Sequence, residues 1–299
     1  MTGIEQFLLF VMAPTVLGLS ILEGLVLSRR GDYDWRAFGV SLFDFLLRIV
    51  MTVAVPFTIA KPLVDWVTAH RLGTIVVDGL LPALGLFIAL EFFYYWLHRA
   101  GHRVRWFWCN HAVHHTPNQL CLAASLRIGA FGRLTGNVVF MLPLVWIGFD
   151  MRLVATALTL NLLYQFWLHA TWIPNLGPLE GWLNTPSAHR VHHAANPEYL
   201  DANYGGVLVV FDRLFGTYVP ERDDLPCRYG LVHPMTSANP LKVEFAQWWW
   251  LARDLLRARS LPAVAGFLAG PPGWQPDGRG ETTEALRVAA GLPATRRGG

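Results

Sequence analysis

Three long apolar runs constrain the fold of this chain more than any other feature of its sequence. They cover residues 6–27, 38–60 and 74–97, and a fourth apolar region extends from 134 to 169. A helix needs about 20 consecutive apolar residues to cross the core of a bilayer. Hydrophobic residues make up 53% of the chain and charged residues 15%, whereas soluble domains are about a quarter charged. The sequence therefore predicts an all-α integral membrane bundle.

The number of membrane helices follows from these runs. The first run ends at Arg29-Arg30 and lacks the basic start and cleavage site of a signal peptide, so we interpret it as a retained anchor. The second contains Asp44 and Arg48, which are spaced to pair on one helix. In the fourth region, Gly148-Phe149-Asp150 predicts a hairpin of two helices that enters and returns. We expect four or five transmembrane helices.

Positive charge predicts the orientation of the bundle. The loop after the first run and the segment after the third are rich in arginine, whereas the loop between them carries only Lys61 and Arg71. By the positive-inside rule, the segment after Leu97 is cytoplasmic. The hairpin returns the chain to the same side. The sequence thus predicts a multi-pass protein in which the segment after Leu97 and the segment after the hairpin both lie on the cytoplasmic face.

Histidines are concentrated on this predicted cytoplasmic face. Nine of the eleven histidines form an HxxxH, two HxxHH motifs and one isolated position, namely His98, His102, His111, His114, His115, His169, His189, His192 and His193. On a helix, residues three and four apart share a face, so HxxxH directs two imidazoles to one point, and HxxHH can serve two different ions. Imidazole binds Zn, Cu, Fe and Ni. Because nine rings are too many for one ion, the spacing favours a two-metal site.

Other residues are weaker candidates. His70 and His233 lie outside the pattern and are not predicted to bind metal. Glu91 precedes His98 by seven residues and could either orient a ligand histidine or pair with Arg48. Four residues could line the site or simply pack at the interface: Tyr94, Tyr95, Asn203 and Tyr204.

Composition excludes several functional classes. The net charge is +3 and the arginines form no basic stripe, so nucleic acid is not an expected partner. The three cysteines lack CxxC spacing, which disfavours a disulfide framework or an iron–sulfur site. For a histidine-rich two-metal site in a membrane protein, two functional classes stay open on the residues alone. One is a zinc-dependent membrane hydrolase, and the other is a non-enzymatic metal transporter or sensor.

The ordered motifs resemble the fatty acid hydroxylase / sterol desaturase superfamily. The resemblance rests on four stretches of sequence: Glu91 to Thr116, Leu168-His169-Ala170, residues 185–193, and Asn203-Tyr204-Gly205 together with residues 212–218. It covers about residues 75 to 225. It implies a helical membrane bundle whose nine histidines form a cytoplasmic di-iron cap, with two Fe ions per chain. Residues 116–119 lack the acidic side chains of many relatives, which leaves the lipid substrate open.

The resemblance also implies a reaction and its partners. The reaction would be O2-dependent hydroxylation or desaturation of a C–H bond in a lipid such as a fatty acyl chain or sterol. The sequence contains no GxGxxG fingerprint and no cysteine cluster, so electrons are expected from a separate reductase, cytochrome or ferredoxin.

These expectations divide the chain into four parts. Residues 1–73 form the N-terminal transmembrane helices, and 74–225 form the hydroxylase-like catalytic domain. Residues 226–270 form interfacial helices that include Trp248, Trp249 and Trp250. Residues 271–299 are rich in Pro, Gly and Arg and are expected to form a flexible tail.

Overall fold

The computed structural model describes residues 6–54 and 60–295. Within these ranges the secondary structure is helical, with only isolated β-bridges, which confirms the all-α class. The α-helices are α1 (Ala13–Ser28), α2 (Trp35–Ala54), α3 (Lys61–Ala69), α4 (Leu80–Arg103), α5 (Arg105–His115), α6 (Leu142–Ile147), α7 (Met151–Tyr164), α8 (Pro186–His192), α9 (Val210–Leu214), α10 (Pro240–Arg257), α11 (Leu261–Ala269) and α12 (Thr283–Ala289). A π-helical turn, Leu8–Met12, precedes α1. Four 3₁₀ helices cover Leu122–Leu126, Asn137–Phe140, Trp167–His169 and Gly177–Leu179.

Two of the described helical segments are long and apolar enough to cross a membrane by length and composition, Phe10–Ser28 and Leu80–Arg103. Their large apolar side chains are largely exposed, as Phe10 in the first segment and Leu81 in the second show with exposures of 68% and 82%. Exposed apolar faces of this kind fit a lipid environment better than water.

The predicted hairpin turns where the sequence indicated but has short arms. Gly148 ends α6 with φ 133°, a conformation that favours glycine, and the Asp150 side chain accepts hydrogen bonds from the first backbone N–H groups of α7. At 1.5 Å per residue, α6 and α7 are about 9 and 21 Å long. Neither arm alone crosses a hydrocarbon core of about 30 Å.

Helix α4 positions the histidine site. It begins six residues after the start of the predicted run and continues through His98 and His102, so the HxxxH motif lies on the last turns of an apolar helix. Val104 is extended and separates α4 from α5, which folds back along it. A Cβ on Gly101 would lie 3.2 Å from the His111 ring, so glycine permits the close approach of these two helices.

The C-terminal part differs from the expectation of a flexible tail. Up to residue 295 the segment contains α12, and its Arg287 side chain is buried and donates to the carbonyl oxygens of Pro197 and Pro293. Glu284 forms a salt bridge with Arg103 of α4. Tertiary contacts of this kind order a segment whose composition alone predicts disorder. Residues 296–299 lie outside the described part.

The predicted Asp44–Arg48 pair does not form. Asp44 accepts from the Ile128 backbone N–H (2.9 Å), and Arg48 donates to the Leu126 carbonyl (3.4 Å). Both side chains of α2 therefore hydrogen-bond to the backbone at the end of the Leu122–Leu126 helix and just after it, and not to each other. The predicted second run continued to residue 60, but residues 55–59 lie outside the described part.

Candidate metal centre

The nine clustered histidines converge in two groups. The first contains His98, His102, His111, His115 and His192, and the second contains His114, His169, His189 and His193. Within each group, one nitrogen per ring lies within 4.8 Å of those of all the others. Eight of the nine are buried, and His111 is half-buried. His70 and His233 are exposed and belong to neither group, as expected.

Each HxxHH motif divides its histidines between the groups. In α5, His111 and His115 join the first group, whereas His114 joins the second. In the second motif, His192 joins the first group, and His189 and His193 join the second. The two motifs therefore link the groups, as their helical spacing predicted.

Backbone carbonyl groups fix the tautomers of four rings. Tyr204, Ala202, Arg127 and Gln165 accept hydrogen bonds from Nδ1 of His98 (2.8 Å), His192 (2.9 Å), His114 (2.7 Å) and His169 (3.0 Å), respectively. A carbonyl oxygen can only accept, so Nδ1 must carry the proton, and Nε2 keeps its lone pair. This arrangement is the usual one for metal-binding histidine.

The lone pairs then face one another, which is unfavourable without a cation. The Nε2 atoms of His114 and His169 are 3.4 Å apart, and both rings already donate through Nδ1. Burial lowers the pKa of His114 to about 4 and that of His169 to about 3, so both are neutral near pH 7. The Nε2 of His192 is likewise buried without a hydrogen-bond partner among the described residues. A metal ion in the second group would satisfy His114 and His169, and an ion in the first group would satisfy His192.

The spacing of the nitrogens fits a metal ion. In the first group, the Nε2 of His111 lies 3.1 Å from those of His98 and His102 and 3.2 Å from that of His115. In the second group, the Nε2 of His189 lies 3.2 Å from the Nε2 of His169 and 3.1 Å from the Nε2 of His193. At metal–nitrogen distances of about 2.1 Å, neighbouring ligands lie about 3.0 Å apart at right angles and about 3.4 Å apart in a tetrahedron.

The Glu91 carboxylate hydrogen-bonds neither to a clustered histidine nor to Arg48 among the described residues. Its Oε2 accepts from the backbone N–H groups of Val207 (2.9 Å) and Leu208 (2.8 Å), and its Oε1 accepts from Asn161 of α7. It thus joins α4, α7 and the loop that follows Tyr204. The Asn161 side-chain oxygen in turn accepts a hydrogen bond from the Gln165 side-chain amide (2.7 Å). The Gln165 backbone carbonyl accepts from His169 Nδ1, so Glu91 supports that histidine only indirectly.

The other candidates separate into two kinds. Tyr94 and Tyr204 lie against the His98 ring, with centroids 5.6 and 5.9 Å apart. Tyr95 instead contacts Thr217 through its hydroxyl group (3.1 Å), and Asn203 contacts the carbonyl of Ala188 (2.9 Å). The first two border the first group, and the other two hold the surrounding loops.

Two acids near the site were missed at the sequence level, the half-buried Asp201 and the buried Asp212. Asp201 lies 3.6 Å from His102 Nδ1 and 2.6 Å from Arg103. Burial alone would raise its pKa, but His102 and Arg103 lower the pKa of Asp201 to about 2. Asp212, fully buried, accepts from two backbone N–H groups. Asp212 begins the matching motif 212–218, which could have indicated it, whereas Asp201 lies outside the matching motifs and had no such signal.

A cavity of about 380 Å³ borders the first group. His102, His115, His192 and His193 form its inner wall. Its remaining walls come from α5, α10, the segments 194–201 and 230–233, and residues 272–286, and they include Trp108, Trp250 and the buried Arg105–Asp254 ion pair (2.6 Å). It gives a small polar group access to the histidines.

Comparison with known proteins adds independent information. A family model described as "Fatty acid hydroxylase" matches residues 83–217. Alkylglycerol monooxygenase of Xenopus tropicalis is 32% identical over 259 residues, which is 87% of this chain and 53% of that protein. The Homo sapiens alkylglycerol monooxygenase is 43% identical over 207 residues, 69% of this chain and 46% of that protein. Ornithine lipid hydroxylase OlsE of Rhizobium tropici is 30% identical over 135 residues, 45% and 40% of the two chains.

The chain spans about half the length of the first two of these relatives. No solved structure gives a significant match.

Proposed function

Because the chain belongs to the fatty acid hydroxylase superfamily, we propose that it is a membrane-bound monooxygenase that hydroxylates a lipid at a two-iron centre. The observation that carries this proposal is the convergence of nine histidine side chains in two groups, with lone pairs of neutral rings directed at common points. This donor set suits two transition-metal ions and exceeds what a single ion can bind.

The histidines divide the work of holding the ions. The first group would hold one iron through His98, His102, His111, His115 and His192, and the second would hold the other through His114, His169, His189 and His193. When bound, the iron pair would supply the O2-dependent oxidation of a C–H bond, which no side chain can perform. The chain's own residues orient the rings through backbone carbonyls and bury them away from water.

The relatives favour hydroxylation of a lipid that has a polar head group. Four of them are named alkylglycerol monooxygenases, and a fifth is named an ornithine lipid hydroxylase. We propose an alkylglycerol as the first substrate to test. Its polar end would occupy the cavity, where Gln247 and Gln275 offer hydrogen bonds and Trp108 and Trp250 offer aromatic surface.

We propose that α1, α2 and α4 cross the membrane, and that the α6–α7 hairpin is re-entrant. Helix α2 has 20 residues, enough for about 30 Å. Arg99, Arg103 and Arg105 at the histidine end of α4 favour a cytoplasmic site. Residues 74–225 would form the catalytic domain, and a separate electron-transfer protein would supply reducing equivalents.

Lipid mass spectrometry with ¹⁸O2 tests the proposal. Membranes that contain the wild-type chain, a reductant and an alkylglycerol should form a product that carries one ¹⁸O atom. His192→Ala removes a ligand of the first group and should abolish the product, whereas His233→Ala, a histidine outside both groups, should leave it unchanged. Metal analysis should give two irons per wild-type chain.

Two results would contradict the proposal. Turnover of the lipid under anaerobic conditions with bound zinc would indicate a hydrolase. Two bound metals without lipid oxidation, for any of the head groups named above, would indicate a metal-binding protein without this activity.

A further inference from the structure

One short segment contacts three of the five histidines in the first group. The Ala202 carbonyl accepts from His192 (2.9 Å), and the Tyr204 carbonyl accepts from His98 (2.8 Å). The Asp201 carboxylate lies 3.6 Å from His102 Nδ1. The Nδ1 atoms of His114 and His169, in the second group, use the carbonyls of Arg127 and Gln165 instead. The histidines that residues 201–204 contact therefore belong to the first group, and Asn203 also donates to the Ala188 carbonyl of α8 (2.9 Å).

The backbone of this segment is strained. Asp201 and Asn203 have φ values of 58° and 55°, and they are the only described non-glycine residues with positive φ. This left-handed region is sparsely populated by residues with a side chain, although Asp and Asn adopt it most readily. Such conformations persist when surrounding contacts fix them, and they cluster at functional sites.

Asp212 supplies contacts at the C-terminal end of this segment. Its Oδ1 accepts from the Tyr204 N–H (2.7 Å) and the Thr217 hydroxyl (2.7 Å), and its Oδ2 accepts from the Gly205 N–H (2.8 Å). A Cβ on Gly205 would lie 2.1 Å from the Leu208 carbonyl oxygen, so only glycine allows this turn. The carboxylate thus fixes the peptide groups on both sides of the Tyr204 side chain.

We propose that Asp212 is a positioning residue for the first metal ion alone. By fixing the peptide groups on both sides of Tyr204, it holds the carbonyl that orients His98 and the end of the segment whose Ala202 carbonyl orients His192, without contacting either ring. This inference rests on the proposed two-metal centre and goes beyond it, because it assigns separate structural supports to the two ions. Disturbing Asp212 should weaken the first ion and spare the second.

Cobalt titration of the metal-free, full-length protein tests this assignment. Wild type should bind two Co²⁺ ions, followed by visible absorption and elemental analysis. In Asp212→Asn, an amide NH2 group faces one of the backbone N–H donors. One ion should then bind about 10- to 100-fold more weakly, the usual effect of losing a residue that supports a metal ligand. The visible absorption spectrum of the cobalt ion that stays tightly bound in Asp212→Asn should match that of His98→Ala, which lacks a ligand of the first group. It should differ from the spectrum of His169→Ala.

Asp224→Asn is the matched control. Asp224 is an exposed acid that pairs with Arg222 (2.5 Å), and neither residue belongs to a histidine group. This variant should bind cobalt like the wild type. If Asp212→Asn aggregates, Asp201→Asn provides the second test, because it removes the carboxylate beside His102 at the edge of the same segment. It should weaken the same ion.

Equal weakening of both ions, or a spectrum that matches His169→Ala, would overturn the assignment. So would unchanged binding of both ions in the two variants. These readouts do not depend on lipid oxidation. A wild-type protein that binds two cobalt ions but oxidises no lipid would count against the proposed function and leave this assignment intact.

Discussion

Glu244 of α10 and Asp44 of α2 are buried acids outside the histidine groups. Each uses one carboxyl oxygen to accept from the loop that follows Arg127, through the N–H groups of Ala130 and Ile128. Burial raises the pKa of Glu244 to about 9, and the facing Asp44 carboxyl group adds to the rise, while Arg127 opposes it. Glu244 is therefore protonated in the folded protein near pH 7.

This shift predicts a pH-dependent stability. Between the model-compound pKa of 4.5 and the folded value of about 9, the folded state binds a proton that the unfolded state has lost. Stability should therefore fall as pH rises through this window. Glu244→Gln keeps the shape and stays neutral, so the melting temperature in detergent should decline less between pH 5 and 9, and the variant should be about 1 kcal/mol or more stable at pH 8.

Asp223→Asn, at an exposed acid, serves as the control and should keep the wild-type pH profile. A Glu244→Gln profile that parallels wild type would show that Glu244 is ionised in the folded protein.

At the level of elements, α10 carries an exposed apolar stripe. Leu241, Phe245, Trp249 and Leu256 lie on one helical face and are 55%, 44%, 69% and 88% exposed, whereas the opposite face packs against α5 through Leu251 and Cys109. Lys242 and Arg253 lie along one edge of the stripe. An exposed apolar stripe with a basic edge is typical of a helix at the membrane interface, which keeps the prediction of interfacial C-terminal helices.

A spin label can locate this face. A nitroxide on Leu256→Cys, in a background without the native cysteines, should be more accessible to O2 than to a water-soluble nickel complex, because O2 concentrates in lipid. The same label on Arg279→Cys, in the exposed segment before α12, should show the reverse. Equal nickel accessibility at both positions would place α10 in water.

For the whole molecule, the metals and the fold should be coupled. Nine imidazole rings whose nitrogens converge at two points are unfavourable without cations, and the rings come from α4, α5, α8 with the His193 that follows it, and the Trp167–His169 helix. Any ligand that binds only the folded state stabilises it, by about 2.7 kcal/mol at 100 times its dissociation constant.

Metal removal should therefore lower the melting temperature of the entire helical core. For a chain of this size we expect a shift of about 5–10 °C, measured by thermal unfolding in detergent before and after chelation and after addition of Fe²⁺ under anaerobic conditions. His233→Ala should show the full shift and His98→Ala a smaller one. A metal-independent melting temperature in the wild type would mean that the histidine groups do not bind ions in the folded protein.

Much of the site was predictable from local spacing. The positions of His111, His114 and His115 on one helix follow from 3.6 residues per turn, and so does their division between two groups. The all-α class, the superfamily and the turn at Gly148 likewise follow from local patterns of residues.

The tertiary structure alone decided what supports the site. The Tyr204 carbonyl reaches His98 across 106 residues, and Glu91 reaches Leu208 across 117 residues. Carbonyl acceptors carry no side-chain signature, so sequence spacing could not reveal which backbone groups orient the rings. The order of the segment up to residue 295 depends on Arg103 and Arg287, whose partners lie far away in the chain. Composition reports what a segment can bury by itself, whereas these contacts depend on surfaces that exist only after the chain has folded.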